Sequence, residues 1–175
     1  MNKSNLSHID SKGHVKMVDV GDKSVTEREA LARGEIKINA HARSLIRHGD
    51  VAKGDPLQAA RVAGILAAKR TAELIPLCHP LSLTHVAVDF SQTRSGYSVE
   101  ARVRTTAQTG VEMEALTAVA VAALTVYDML KAVDNTIVIG EICLIEKRGG
   151  KSGVYRRQSR KTGRAKKTRN LKLTK

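Results

Sequence analysis

The residue types best suited to acid–base chemistry or anion binding are a lysine before one predicted helix and an aspartate–lysine pair near the end of another. Lys53 stands just before the helix start Asp55–Pro56, where unpaired N–H groups and the positive end of the helix dipole favour an anion such as phosphate. A solvated lysine in a turn would account for the same pattern. Asp128 and Lys131 share a helix face, where they serve one site or form only a surface ion pair worth under about 1 kcal/mol.

A second candidate lies on a proline-flanked loop. In the segment 74–83, LIPLCHPLSL, Cys78 and His79 stand between two prolines, which predicts an extended loop. Loops present side chains to ligands more readily than core strands do. Cys78, His79 and His85 could also bind a metal, but no second Cys or His occurs at zinc-motif spacing, so no metal site is expected. A buried cysteine beside a histidine that hydrogen-bonds the backbone is the remaining alternative.

Two glutamates begin the longest predicted helix. Glu112 and Glu114 lie in its first turn, where the helix dipole stabilises carboxylates without any function. Glu114 precedes Asp128 by fourteen residues, or about 20 Å at 1.5 Å per residue. The two carboxylates of one chain therefore cannot hold one small reacting centre. If both serve one site, a second subunit supplies one of them or the ligand is long.

A glycine–lysine segment follows the last predicted strand. Residues 147–153, KRGGKSG, imitate the end of a phosphate-binding Walker loop, but Ile145 stands where the first glycine should be and no helix follows. The segment is therefore not a P-loop. It is either a flexible phosphate-binding segment or a plain turn.

The elements that position these residues follow from hydrophobic period and turn residues. Small or apolar residues alternate with charged ones along Arg28–Asn39, which predicts a half-buried strand, although Thr26 and Glu29 also form a capping-box pattern that would begin a helix. The predicted order is a strand over Arg28–Asn39, a short helix from Asn39 to Gly49, a helix from Asp55 to about Leu74, a hairpin with strands at Thr84–Phe90 and Val99–Val103, a helix from Val111 to about Ala132, and a strand over Ile137–Ile145.

That order predicts an α+β fold, namely a ferredoxin-like β-α-β-β-α-β sandwich with an antiparallel sheet and one extra helix. The last strand, Ile137–Ile145, is apolar on both faces apart from Glu141. It is therefore predicted to be a central strand that is covered on both sides.

The net charge of +13 belongs entirely to one end of the chain. Of 30 Lys+Arg and 17 Asp+Glu in 175 residues, all the acids occur at or before Glu146, and 13 basic residues follow it. We therefore predict one folded domain over residues 1–153 and a basic, flexible tail over residues 154–175, which has no apolar period. The tail either contacts polyanions non-specifically or serves solubility.

With three tyrosines, one phenylalanine and no tryptophan, the chain lacks the stacking platforms of most single-strand nucleic-acid binders.

The sequence predicts no membrane span and a cytoplasmic location. The longest apolar stretch without a charge, Ala115–Tyr127, is too short to cross a bilayer. Residues 1–15 are polar and contain no apolar signal region, and two isolated cysteines make no disulfide framework.

Six strings along the chain together resemble one known family. They are MVDVGDK (17–23), KGD (53–55), AAKRTAELIPLCHPL (67–81), TGVEMEALTA (109–118), TVYDMLKAVD (125–134) and GGKSG (149–153). In these strings the chain closely resembles the cyclic pyranopterin monophosphate synthase family, MoaC, of molybdenum cofactor biosynthesis. The resemblance covers about residues 6–153 and excludes the basic tail.

The resemblance implies a catalytic domain over residues 1–153, with the activity of a phosphorus–oxygen lyase. The implied substrate is the small-molecule triphosphate 3',8-cyclo-7,8-dihydroguanosine 5'-triphosphate, and the products are cyclic pyranopterin monophosphate and pyrophosphate. The implied assembly is a homohexamer, a trimer of dimers, with active sites at subunit interfaces. The family's catalytic residues match Lys53, Asp128 and Lys131. Its substrate contacts match Leu77, Cys78, His79, Met113, Glu114 and Arg28. Other polar positions near its pocket match Asp19, Glu112, Lys147 and Lys151.

The residue types suit this chemistry. A lysine close to another cation can have a lowered pKa and exchange protons near neutral pH. We therefore expect Lys53 and Lys131 to face each other across a subunit interface, with Asp128 orienting Lys131. Expelling pyrophosphate needs cations over the leaving group, a role for Arg28, Lys147 and Lys151. No redox step is required, so no cofactor is expected, although Mg²⁺ could accompany the triphosphate.

Two other functions are compatible with parts of the sequence. One is a basic, oligomeric protein that binds polyanions through its tail, which leaves Lys53, His79 and Asp128 without a purpose. The other is a metal-dependent hydrolase that uses His79 and His85.

Overall fold

Five strands and four helices make up the part of the chain that the structure describes. The structure is a computed structural model, and it describes residues 12–158. The elements are β1 Thr26–Lys37, α1 Ala40–His48, α2 Pro56–Lys69, α3 Thr71–Leu74, β2 Leu83–Thr93, β3 Gly96–Ala107, α4 Glu112–Leu130, β4 Val138–Arg148 and β5 Tyr155–Arg156.

The strands form one antiparallel sheet in the order β2-β3-β1-β4-β5. The first four strands have the ferredoxin-like order, so the predicted α+β class is confirmed. In β1 the small or apolar residues Ala30, Ala32 and Ile36 are buried, and the charged residues between them lie on the other face. The alternating pattern therefore outweighs the capping-box pattern at Thr26, which lies inside the strand.

Helices α2 and α4 cover one face of this sheet and pack closely on each other. A Cβ at Gly64 of α2 would lie 2.9 Å from the carbonyl oxygen of Ala118 in α4 and 3.2 Å from Val88 Cγ2 in β2. The alanine-rich sequence of α4 allows this approach. By length and composition α4 could cross a membrane, but nine of its 19 residues are buried within the domain. Core helices of globular proteins meet the same criteria.

The extra helix that the sequence predicts is α1, whereas the expected helix 55–74 is interrupted. It consists of α2 and the short α3, which are separated at Arg70. The hydroxyl of Thr71 donates to the carbonyl oxygens of Ala68 (3.0 Å) and Ala67 (3.3 Å). A side chain that occupies these carbonyls ends the regular backbone pattern.

The prediction of a central, covered β4 is wrong for the single chain. Within residues 12–158, the part of β4 from Val138 to Leu144 pairs with β1 on one side only, and the side chains of Val138 and Ile142 are 52% and 37% exposed. Glu141 has a φ of +52° at an irregularity opposite Gly34. The apolar side chains on both faces of β4 indicate that both faces favour burial. They do not indicate whether residues of the same chain or of another chain pack against them.

The predicted tail begins with ordered backbone. Tyr155–Arg156 forms β5 beside Glu146 and Lys147, and the N–H of Arg157 donates to the carbonyl oxygen of Ile145 over 2.8 Å. The start of the segment 154–175 is therefore part of the sheet and does not match the predicted flexible tail. Residues 159–175, which hold the rest of that prediction, lie outside the described residues, as do residues 1–11.

Candidate active site

The structure brings Lys53, Asp128 and Lys131 together as one lysine–aspartate cluster. Asp128 lies in the last turn of α4, Lys131 caps that helix, and Lys53 lies in the turn before α2. Lys131 Nζ is 2.8 Å from Asp128 Oδ1, and Lys53 Nζ is 3.2 Å from Asp128 Oδ2. Lys53 Nζ also donates to the carbonyl oxygen of Asp128 over 3.0 Å. Because the three side chains are about half exposed, a ligand can reach them.

The expected arrangement of this cluster was wrong in two respects. Lys53 and Lys131 approach the same carboxylate within one chain, so they do not face each other across an interface. The hydrogen bonds from Lys131 and Lys53 hold the pKa of Asp128 below its usual value. The bond to Asp128 in turn raises the pKa of Lys131, whereas the sequence suggested a lowered lysine pKa. The carboxylate of Asp128 stabilises the charged form of Lys131.

A second group of predicted residues lines a cavity of about 370 Å³, which we call the loop cavity. Its lining includes Leu77, Cys78 and His79 from the proline-flanked loop and Met113 and Glu114 from the start of α4. In that loop the N–H of Cys78 donates to the carbonyl oxygen of Ile75 over 3.0 Å. The resulting turn directs the three loop residues towards α4.

Glu114 is the most unusual titratable group of the loop cavity. It is 4% exposed, and burial, together with the negative charge of Glu112, raises its pKa to about 6. Burial and then the charge of Glu114 raise the pKa of Cys78. Cys78 is therefore a neutral thiol at neutral pH, which does not suit a nucleophile.

A cleft of about 890 Å³, the cationic cleft, adjoins the loop cavity and contains Arg28, Lys147 and Lys151. The glycines of the predicted phosphate-binding segment shape its wall. Gly149 and Gly150 have φ values of +97° and +71°, and a Cβ would overlap the backbone of Glu27 at the first position and the guanidinium of Arg28 at the second. The segment is therefore a tight turn that only glycine allows at these two positions.

A β-bulge places Lys147 on the helix-covered side of the sheet. Ala32 pairs with Leu144 and Leu31 pairs with Glu146, so Ile145 is an extra residue in β4. Without this residue the alternation would direct Glu146 towards the helices. With it, Lys147 lies opposite Ala30 and its Nζ is 2.8 Å from Glu112 Oε1 at the start of α4.

The loop cavity and the cationic cleft share four lining residues, which form their junction: Lys23, Thr109, Gly110 and Glu112. The lysine–aspartate cluster lies at the opposite end of α4, about 20 Å away along the helix axis. One chain therefore carries two separate half-sites. Among residues 12–158, no three His, Cys, Asp or Glu side chains come together in a way that could hold a metal ion.

Comparison with known proteins decides the family. The model described as "MoaC family" matches residues 17–150, which include the lysine–aspartate cluster, the loop cavity and the cationic cleft except for Lys151 and Ser152. The chain belongs to the MoaC family. It is 58% identical over 154 residues to the cyclic pyranopterin monophosphate synthase of Chloroflexus aurantiacus (strain ATCC 29366 / DSM 635 / J-10-fl), with 87% of this chain and 94% of that protein covered.

Two further relatives carry the same name. The cyclic pyranopterin monophosphate synthase of Thermomicrobium roseum is 59% identical over 155 residues, which cover 87% of this chain and 93% of that protein. That of Heliobacterium modesticaldum is 56% identical over 155 residues, covering 87% and 98% respectively. The resemblance to this family that the six sequence strings indicated is thereby confirmed.

The MoaC-family strings contained site residues that the sequence interpretation passed over. Lys23 ends the first string, and Thr109 and Gly110 begin the fourth, yet only the structure shows them at the junction. Gln108 precedes the fourth string and donates from Nε2 to the carbonyl oxygen of Gly21 over 3.0 Å. Asp19, expected near the pocket, stabilises a turn, because its Oδ1 accepts from the N–H of Gly21 at 2.9 Å.

Proposed function

We propose that this protein is a cyclic pyranopterin monophosphate synthase, a phosphorus–oxygen lyase that converts 3',8-cyclo-7,8-dihydroguanosine 5'-triphosphate to cyclic pyranopterin monophosphate and pyrophosphate. The observation that carries the proposal is the pair of adjoining cavities in a MoaC-family chain. The loop cavity suits a ring system, since it combines apolar Leu77 and Met113 with polar His79 and Glu114. The cationic cleft suits the triphosphate.

The charges of the cationic cleft favour an anionic leaving group. Glu112 is paired with Lys147, and Glu29 is paired with Arg102 and Arg104. Arg28 Nη2 donates to the carbonyl oxygen of Gln108 at 3.4 Å, and among residues 12–158 no carboxylate forms a salt bridge with Arg28, so its positive charge is not cancelled there. Fixed cations of this kind stabilise the charge that develops as pyrophosphate leaves.

The lysine–aspartate cluster is proposed to carry out the proton transfers of the ring rearrangement. C–N bonds of the substrate break and form, which requires groups that give and accept protons. Lys131 Nζ lies 2.8 Å from Asp128 Oδ1, so a proton can pass between the ammonium group and the carboxylate as the substrate takes up or releases one. Asp128 holds both lysines at the reacting atoms.

The two half-sites are proposed to meet between subunits of a homohexamer, a trimer of dimers. They are too far apart in one chain to act on the same atoms. The helix layer also presents apolar side chains that are exposed in the single chain, including Val62, Leu66 and Leu124. Exposed apolar patches are typical of subunit interfaces.

Direct turnover tests the function. The purified protein should release pyrophosphate from the cyclic guanosine-derived triphosphate and form the pterin product without an added cofactor. Asp128→Asn should lower kcat by about 100-fold or more, since it removes the carboxylate that positions both lysines. Absence of pterin formation by the wild-type protein would refute the proposal. If EDTA treatment abolished turnover, a metal-dependent reaction would replace it.

A further inference from the structure

A third cavity, of about 510 Å³, lies where β1 ends, and we call it the β1-end cavity. Three of its lining residues are cations, namely Lys37, Arg43 and Arg94. Within residues 12–158 none of the three forms a salt bridge, and no acidic residue is among those that line the cavity. The β1-end cavity therefore carries three positive charges that no carboxylate of the described chain neutralises by contact.

Hydrogen bonds fix the backbone around the β1-end cavity. The N–H of Ile38 donates to the carbonyl oxygen of Ser95 over 2.9 Å, which holds the turn between β2 and β3 against the end of β1. Arg43, in the first turns of α1, donates from Nη1 to the carbonyl oxygen of Arg94 in that turn. The guanidinium of Arg43 therefore has a defined place beside the turn that carries Arg94.

The polar groups on the α1 side of the cavity lack partners. Arg43 Nε is buried, and within residues 12–158 it has no hydrogen-bond partner. The first N–H groups of a helix have no partner inside the helix, and Ala40, the first residue of α1, lines the cavity. An anion in the cavity offers an opposite charge to the guanidinium and to the positive end of the helix.

The buried carboxylate next to this cavity is already bonded elsewhere. Asp134 accepts through Oδ2 from the N–H of Asn39 and through Oδ1 from the N–H and the hydroxyl of Thr136. Asn39 and Thr136 line the cavity, whereas Asp134 is 3% exposed and does not. Asp134 therefore contacts donors within the cavity wall and leaves the three cations unpaired.

We propose that the β1-end cavity binds a small anion with two phosphate groups. Guanidinium groups bind phosphate oxygens through pairs of parallel hydrogen bonds. A single phosphate group carries about two negative charges at neutral pH, whereas a diphosphate carries more and so matches three cations better. Among the lining residues none is aromatic, so no side chain is present to stack a nucleotide base. Free pyrophosphate is therefore the expected occupant.

The proposed site is separate from the two half-sites. The β1-end cavity shares no lining residue with the loop cavity or the cationic cleft. Along β1, Lys37 follows Arg28 of the cationic cleft by nine residues, or about 30 Å. The inference thus goes beyond the proposed function. Binding is measured without substrate, so a failure of this inference is distinct from an absence of turnover.

The test measures pyrophosphate binding to the full-length protein by isothermal titration calorimetry at low salt. Every variant carries Lys147→Met, which leaves Glu112 unpaired in the cationic cleft and so weakens anion binding there. In this background Lys37→Met with Arg94→Met should raise the Kd of pyrophosphate about 10-fold or more, since two charge-assisted contacts are lost.

The matched control also removes one lysine and one arginine. Lys16→Met with Arg157→Met changes exposed residues that lie outside all three cavities. Its Kd should stay within about twofold of the Lys147→Met protein, because distant exposed charges are screened. Circular dichroism and urea unfolding check that both sets of variants are folded.

Phosphate and ADP identify the anion. Phosphate should bind about 10-fold more weakly than pyrophosphate, because it has fewer charges and oxygens for the three cations. ADP should bind within about threefold of pyrophosphate if only the diphosphate group is recognised. ADP binding more than about 10-fold tighter, and lost in the Lys37→Met, Arg94→Met variant, would assign the diphosphate to a nucleotide.

Three results would overturn the inference. One is the absence of pyrophosphate binding by the Lys147→Met protein. Another is an equal Kd in the folded Lys37→Met, Arg94→Met variant and its matched control, which would show that the β1-end cavity contributes nothing of its own. The third is phosphate binding as tightly as pyrophosphate, which would exclude recognition of two phosphate groups.

Discussion

A carboxyl group that is almost wholly buried costs free energy at neutral pH, and Glu114 is such a group. Its 4% exposure and a pKa of about 6 mean that the folded protein binds its proton more tightly than the unfolded chain does. The folded state is therefore favoured as pH falls through 6 and penalised above it. The difference of about 1.5 pH units from an ordinary glutamate corresponds to about 2 kcal/mol at high pH.

Glu114→Gln should consequently stabilise the fold at alkaline pH. We expect the free energy of unfolding to rise by about 2 kcal/mol at pH 8 and by less than about 1 kcal/mol at pH 5, where the native carboxyl is already largely protonated. Urea unfolding at the two pH values measures this. Glu100→Gln is the control, because Glu100 is partly exposed beside Arg33, does not contribute to the raised pKa of Glu114, and should not stabilise the fold when neutralised. An equal gain at both pH values would show that the charge of Glu114 is not the cause.

At the scale of elements, one buried aspartate joins the start of α1 to the connection between α4 and β4. Asp134 is 3% exposed, and its Oδ2 accepts from the N–H of Asn39 at 2.7 Å. Its Oδ1 accepts from the N–H of Thr136 at 2.9 Å and from the Thr136 hydroxyl at 2.7 Å. Burial acts to raise the pKa of Asp134, but the hydrogen bonds from Asn39 and Thr136 outweigh it and the pKa is lowered.

Asp134→Asn should destabilise the fold, since an amide replaces one acceptor oxygen with a donor and leaves a buried N–H without a partner. We expect a loss of about 2–3 kcal/mol by urea unfolding at pH 7. Since the folded pKa is lowered, the loss should shrink as pH falls through that pKa and Asp134 of the wild type becomes protonated. Asp89→Asn is the control, because Asp89 is exposed beside Arg61 and should change stability by less than about 1 kcal/mol. Equal losses in the two variants at pH 7 would contradict the buried role of Asp134.

Local sequence signals predict some of the elements but not their irregularities. Local period and cap residues predicted β1, α1 and the long α4, because those signals lie within each segment. The bulge at Ile145 has no such signal, since no glycine or turn residue marks it and pairing with β1 decides it. Likewise, Thr71 interrupts a helix-forming sequence through its own side chain.

The candidate site, too, was predicted only in part from the sequence. Resemblance to a family grouped Lys53 with Asp128, although 75 residues separate them, and the structure does bring them together. It did not show that they belong to one cluster of one chain, because motif spacing contains no three-dimensional distance. Lys23 was overlooked for a related reason: a lysine in an exposed turn is unremarkable until two cavities are seen to meet beside it.

At the scale of the whole molecule, the charge excess and the candidate site are separable. Ending the chain after Gln158 removes eight Lys and Arg residues and no acid, while it keeps β5 and both half-sites. We expect unchanged kcat and KM together with elution from heparin at lower salt, because fewer cations release counterions. A truncated protein that lost turnover would show that the candidate site depends on the basic tail.

The separation of the half-sites makes subunit mixing the sharpest test of assembly. If each active site combines the loop cavity of one chain with the lysine–aspartate cluster of another, random mixing of His79→Ala and Asp128→Asn subunits leaves about a quarter of the sites intact. Pyrophosphate release should then recover to about a quarter of the wild-type rate, although each variant alone is nearly inactive. Lys53→Ala mixed with Asp128→Asn is the control, because both residues belong to one cluster, so every site stays defective.

Subunit exchange must be verified in both mixtures, for example by mass spectrometry of differently tagged chains. Recovery in the control mixture would show that Lys53 and Asp128 act from different chains. No recovery in the His79→Ala mixture, despite exchange, would show that each chain acts alone. In that case the two half-sites of one chain, about 20 Å apart along α4, could not act on the same substrate atoms. The proposal that the loop cavity binds the ring system while the lysine–aspartate cluster transfers protons would then be wrong.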